Sequence, residues 1–110
     1  MREILFRGKS IDTGDWIYGY LYKNHLIHHH ITGDKYICKE STIGQYTGLR
    51  DKDDCKIFEG DSLFQKDDLI GYVVFNNGCF KIDDGETNHA HAILVQDRAK
   101  KMEVIGNIHQ

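Results

Sequence analysis

The chain has 110 residues, 40% of them hydrophobic and 28% charged, and a formal net charge of −3. That length supports one core rather than two, so residues 1–110 are expected to form a single domain, and the composition is too apolar for a disordered chain. The charge argues against strong non-specific binding to duplex nucleic acid, which rests on many Lys and Arg contacts to phosphate.

The charge is unevenly spread. Residues 1–50 carry seven Lys+Arg against five Asp+Glu, and residues 51–110 carry seven against twelve. Eleven glycines and no proline suit a fold of many tight turns and leave no place for a cis-proline or a PxxP segment. Met1–Arg7 holds one short apolar run broken by charge, so neither a secretory leader nor a membrane span is expected. Cys38, Cys55 and Cys79 are odd in number and far apart. That pattern fits neither a disulfide framework nor a zinc ribbon, and the cytoplasm is the expected compartment.

The first clear element is Trp16–Tyr22. Its alternation puts Trp16, Tyr18, Tyr20 and Tyr22 on one face of a strand and Ile17 and Leu21 on the other. Lys23-Asn24-His25 reads as a turn, Leu26–Ile31 as the returning strand, and Lys35–Cys38 as a short strand after Gly33-Asp34. Thr42–Asp61 is too sparse in apolar residues for a helix face. It reads as a short strand, a charged turn, a second short strand and a tight corner at Glu59-Gly60-Asp61 that needs positive φ at Gly60. Ser62–Gln65 continues as a strand, broken at Asp67-Asp68. Ile70–Phe75 and Cys79–Ile82 flank Asn76-Asn77-Gly78, which supplies the positive φ angles of a tight hairpin. Asn88–Lys101 fits a helix and a strand equally well. Met102–Ile108 reads as a last strand with a bulge at Gly106. About ten short strands and one or two helical turns point to a small barrel or sandwich. The expected core is Leu5, Trp16, Ile17, Tyr20, Leu21, Ile43, Ile57, Leu63, Val73, Phe75, Val104 and Ile105.

Four segments carry a resemblance: Phe6-Arg7-Gly8-Lys9, Gly14-Asp15-Trp16-Ile17-Tyr18-Gly19-Tyr20, Thr42–Asp61, and Glu103-Val104-Ile105-Gly106-Asn107-Ile108. In order and spacing they resemble the YopX family of phage and prophage proteins, from residue 6 to 108. The resemblance implies a mostly β fold, a small SH3-like barrel or open barrel with additional N-terminal strands and little helix. It also implies a phage or prophage origin in a bacterium. It implies no activity and no catalytic residues. Two departures stand out. Asp53-Asp54 occupies a place where the family has an Asn-Gly type of turn, so a longer or looser turn is expected here. The chain also stops at His109-Gln110, where family chains often run on.

Four sets of residues are candidates for chemistry. His28 and His30 share a strand face, and His89 and His91 would do the same. Two such pairs could give a metal four imidazoles, but no third ligand lies at a recognised spacing, and a polar strand face is the preferred reading. Asp51, Asp53, Asp54, Glu59 and Asp61 could hold magnesium, although a solvated turn accounts for them as well. Ser10, Ser41 and Ser62 lie outside any GxSxG elbow, and Cys38 and Cys79 read as buried thiols with Cys55 exposed. The aromatic stripe could be a stacking platform, with Arg2, Arg7, Lys9 and Lys23 around it, or a wall of the core. The core reading is preferred, because a small β domain draws its stability from such rings.

The expectation is therefore a non-catalytic binding or assembly module without metal or cofactor. Its partner would be a host or phage protein, and self-association through edge strands is a further route. Nucleic acid bound on the aromatic face is the first alternative, and a small metal-dependent hydrolase the second.

Overall fold

The computed structural model describes residues 3–85 and 92–109. Strands make up 55% of these and helix 7%, so the chain is mostly β. The strands form two antiparallel sheets, and among the described residues neither closes into a barrel. The chain divides into two units, Met1–Tyr46 and Thr47–Gln110.

The first unit holds β1 (Phe6–Lys9), β2 (Trp16–Tyr22), β3 (Leu26–His29) and β4 (Lys35–Ile37). It also holds the start of β5 (Gly44–Arg50), whose Gly44 and Gln45 pair with Arg7 and Phe6. The strand order is β4-β3-β2-β1-β5. Ile17, Ile27 and Cys38 form the core of this unit, with Phe6, Tyr36 and Ile43 packed against it. One side chain and one backbone bridge tie the loops down. Thr42 Oγ1 accepts from the Lys9 N–H at 2.9 Å and donates to the Lys39 carbonyl at 2.6 Å. Cys38 pairs with Ser10 in an isolated bridge.

Ile17 sets the facing of β2. It lies on the same side as Ile27 and Cys38, so the aromatic stripe takes the opposite side. That corrects the expected core. Tyr20 is 59% exposed, and Leu21, although directly opposite Ile27 on β3, lies toward the hairpin end and is 36% exposed. Trp16 and Ile43 are half-buried.

The second unit takes up the rest of β5, which is followed in its sheet by β6 (Lys56–Phe58). A second sheet combines β7 (Asp61–Gln65), β8 (Asp68–Asn76), β9 (Cys79–Asp83), β10 (Ala92–Ile93) and β11 (Glu103–Asn107) in the order β10-β9-β8-β7-β11. One short helix, α1 (Gln96–Ala99), precedes β11. The core is Ile57, Leu63, Val73, Ile82, Leu94, Ala99 and Met102. Phe75 and Ile105, expected there, are exposed. Phe75 sits by the hairpin turn and packs edge-on against its cross-strand neighbour Phe80, ring centroids 5.1 Å apart. Ile105 lies in the stretch of β11 where the pairing register shifts, between Val104 and Asn107, so it does not face the core. Val104 is half-buried.

The β8–β9 hairpin turns at Asn77 (φ 51°) and Gly78 (φ 84°), as its Asn-Gly sequence requires. Asn88–Lys101 is both of its readings in succession, a two-residue strand and then one helical turn; positions 88–91 lie outside the described residues. The Asp53-Asp54 turn is not loose. Asp54 itself adopts φ 65°, and the turn closes by Asp54 N–H to the Asp51 carbonyl at 3.0 Å and Asp51 N–H to the Cys55 carbonyl at 2.9 Å.

Candidate functional site

The antiparallel register gathers side chains from four strands of the first unit onto one face, because residues directly opposite each other point the same way. Lys9 stands opposite Trp16 and Arg7 opposite Tyr18. His28 is opposite Tyr20 and Leu26 opposite Tyr22. Lys35 and Ile37 extend the rows beyond His28 and Leu26. None of these positions carries an Asp or Glu.

The cations lie against the rings. The Arg7 guanidinium carbon is 4.5 Å from the centroid of the Trp16 ring, Lys9 Nζ is 5.3 Å from the same ring, and Lys23 Nζ is 5.6 Å from that of Tyr22. Such contacts orient a ring and also raise the local positive potential. Exposure is graded along the stripe. Arg7 is buried, Lys9, Trp16 and Tyr18 are half-buried, and Tyr20, Tyr22, Lys23 and Lys35 are exposed. Beside Tyr20, an open hollow of about 420 Å³ is lined by Ile4, Phe6, Tyr20 and Leu21. The stripe and the basic residues Arg7, Lys9 and Lys23, which the sequence suggested as its neighbours, do lie together on this face, although the preferred sequence reading placed the stripe in the core; Arg2 lies outside the described residues. Reasoning from sequence missed Lys35 and His28 as part of this face. Only the β2–β3 and β3–β4 registers could have added them.

Among the described residues the histidines are not brought together as a metal site. His28 is packed at 5.4 Å from the Tyr22 ring, and its Nε2 is shielded from solvent. β3 ends at His29, so His30 leaves the strand and its ring lies 5.1 Å from that of His29. His29 Nδ1 accepts from the N–H groups of Ile31 and Thr32. His89 and His91 lie outside the described residues. Among the described residues no three His, Cys, Asp or Glu side chains are placed to hold a metal ion.

The acidic stretch has a structural role. Asp51 is 1% exposed. Its Oδ1 accepts from the N–H groups of Asp53 and Cys55, both at 2.9 Å, and its Oδ2 from the N–H of Val104 at 2.9 Å. Asp61 Oδ2 accepts from the Phe58 N–H at 2.7 Å and so closes the Glu59-Gly60 corner. Both carboxylates face backbone donors rather than open water. Asp53 and Asp54 are exposed, and Asp54 forms loose ion pairs with Arg50 and Lys100 at 3.9 and 3.6 Å.

The three thiols are free. Burial pushes Cys38 up from the ordinary thiol value. Cys55 is exposed, yet the Asp51 carboxylate raises it, followed by desolvation and by Asp53, Asp54 and Glu103. Thiolate is the reactive form, so Cys55 is expected to alkylate with iodoacetamide more slowly than free cysteine near neutral pH. The gap should close as pH rises. Peptide-level mass spectrometry of a time course checks this, and equal rates near neutral pH would contradict it.

The fold and the site define a mostly β protein of two antiparallel sheets that displays an aromatic and cationic sheet face. Residues 5–110, essentially the whole chain, match the family model described as YopX protein. The chain belongs to the YopX family. No curated protein matches it.

Proposed function

We propose that this protein is a non-catalytic binding module of phage or prophage origin, working in the bacterial cytoplasm through the outer face of β2. One observation carries the reading. Tyr20 and Tyr22, same-face neighbours on a paired strand, are 59% and 52% exposed, with Ile37 on the same face 56% exposed. Isolated exposed apolar residues are common, but a cluster of them rimmed by cations marks an interaction surface.

Two competing readings lose ground for physical reasons. A metal-dependent hydrolase would need its acids and imidazoles aimed at one point, whereas Asp51 and Asp61 accept backbone hydrogen bonds and β3 ends before His30. Self-association by strand addition needs a long flat edge. Among the described residues the edges are β4 and β6 with three residues each, β10 with two, and β11 with its register shift. Short and bulged edges discourage pairing with another chain. The three unbridged cysteines suit a reducing compartment.

The test compares the immobilised protein with a Tyr20→Ser, Tyr22→Ser double variant of unchanged melting temperature. Both are exposed to lysate from cells carrying the phage, and retained protein and nucleic acid are identified. The expected result is a species held by the unaltered protein and lost from the variant. Equal retention by both would overturn the reading.

A further inference from the structure

Building on the proposed binding role, we infer that the ligand of the β2 face is single-stranded nucleic acid, with bases stacked on Tyr20 and Tyr22 and phosphates held by Lys23 and Lys35. The charge of the face points to an anion. The chain as a whole is acidic, yet Lys9, Lys35 and the stripe form a surface with no carboxylate at any of its paired positions. The acids of this unit stand elsewhere. Asp12 lies in a turn, Glu3 lies ahead of β1, and Asp15 and Asp34 stand directly before β2 and β4. Glu40 lies in a short 3-10 turn, where it accepts a hydrogen bond from Asn24.

The spacing of the rings points to an extended single strand. Same-face positions on a strand are about 6.6–6.8 Å apart, a stride that lets consecutive bases sit one to a ring. Base stacking on an aromatic side chain tolerates any sequence, because every base offers a π face. A duplex offers no free base faces, and the net charge of −3 works against holding its backbone alone.

Lys23 adds a separate observation. It holds φ 63° in the β2–β3 turn, a conformation that Asn or Gly adopts more easily than a long side chain. The turn thereby sets the lysine beside Tyr22, with Nζ 5.6 Å from the ring centroid. Trp16, with Arg7 and Lys9 against its ring, anchors the other end of the stripe.

The experiment uses the full chain and fluorescein-labelled deoxythymidine and uridine oligomers of about ten nucleotides, within the site sizes of single-strand binders. Anisotropy is read over a salt series. The unaltered protein is expected to bind the oligomers more tightly than a duplex of equal length. The log–log salt slope should be shallow, roughly −0.7 per phosphate neutralised. Tyr20→Leu and Tyr22→Leu each keep an apolar side chain but lose the ring, and each should weaken binding about 5- to 150-fold. Lys23→Glu with Lys35→Glu should weaken it and flatten the salt slope.

Absence of oligomer binding would overturn the inference. So would binding that depends on the lysines but is indifferent to both Tyr→Leu changes, since the ligand would then be a polyanion held by charge alone. The two readings separate cleanly. If oligomers fail while lysate capture still depends on Tyr20 and Tyr22, the module stands and its partner is a protein. If both fail, both readings fall.

Discussion

Replacing Asp51 with Ala is expected to lower the unfolding free energy by about 3–4 kcal/mol. The carboxylate is 1% exposed and accepts three backbone N–H groups, two in its own turn and one from Val104 in β11. Hydrogen bonds to a charged acceptor contribute about 1.5–3 kcal/mol each, though not additively. Alanine would leave the Val104 donor without its acceptor and free the 51–55 turn. Asp51→Asn is the informative control. Its amide keeps one accepting oxygen but turns an NH2 group toward whichever donor remains, so a smaller loss, about 1–2 kcal/mol, is expected. Denaturant unfolding measures both. A loss under about 1 kcal/mol for the alanine variant would mean that water replaces the carboxylate and that Asp51 does not organise the turn.

That role was not legible in the sequence, and the reason is distance along the chain. Asp51 stands in a run with Asp53 and Asp54, where a solvated tip or a cation site reads equally well. The Val104 N–H that explains it lies 53 residues away. Local geometry was easier to read. The Asn77-Gly78 turn and the corner before Asp61 follow from backbone preferences that need no tertiary partner.

The facing of β2 falls between these cases. Its alternation was plain, but both faces carry large apolar side chains, so the period could not say which of them faced the core. Ile27 and Cys38 decided it by packing against Ile17. The same ambiguity hid the site. Arg7, Lys9 and Lys23 lie near Trp16–Tyr22 in sequence and could be guessed as its neighbours. Lys35 and His28 join only through the β2–β3 and β3–β4 registers. The His28–His30 pair failed for a related reason: a face shared at positions i and i+2 requires the strand to continue, and β3 stops at His29.

Gly60→Val is expected to lower the unfolding free energy by about 3 kcal/mol. Gly60 has φ 95°, beyond the small left-handed region that non-glycine residues reach, and a β-branched side chain fits there worst of all. Space is not the obstacle. A Cβ at this position would meet His109 Nε2 at 3.4 Å and Ile108 Cγ2 at 3.6 Å, which is ordinary contact. The strain is therefore torsional. The corner cannot relax it cheaply, because the Gly60 N–H donates to the Val73 carbonyl and the Gly60 carbonyl accepts from the Ile108 N–H, both at 2.8 Å. The Asp61 carboxylate also closes the turn onto Phe58. Gly60→Ala separates the two effects. Its single methyl fits, so its loss, about 1–2 kcal/mol, reports the backbone strain alone. Valine should lose more than alanine in the same denaturant titration. An unfolding midpoint unchanged by Gly60→Val would show that the corner can adopt negative φ, and the turn between β6 and β7 would then have to be redrawn.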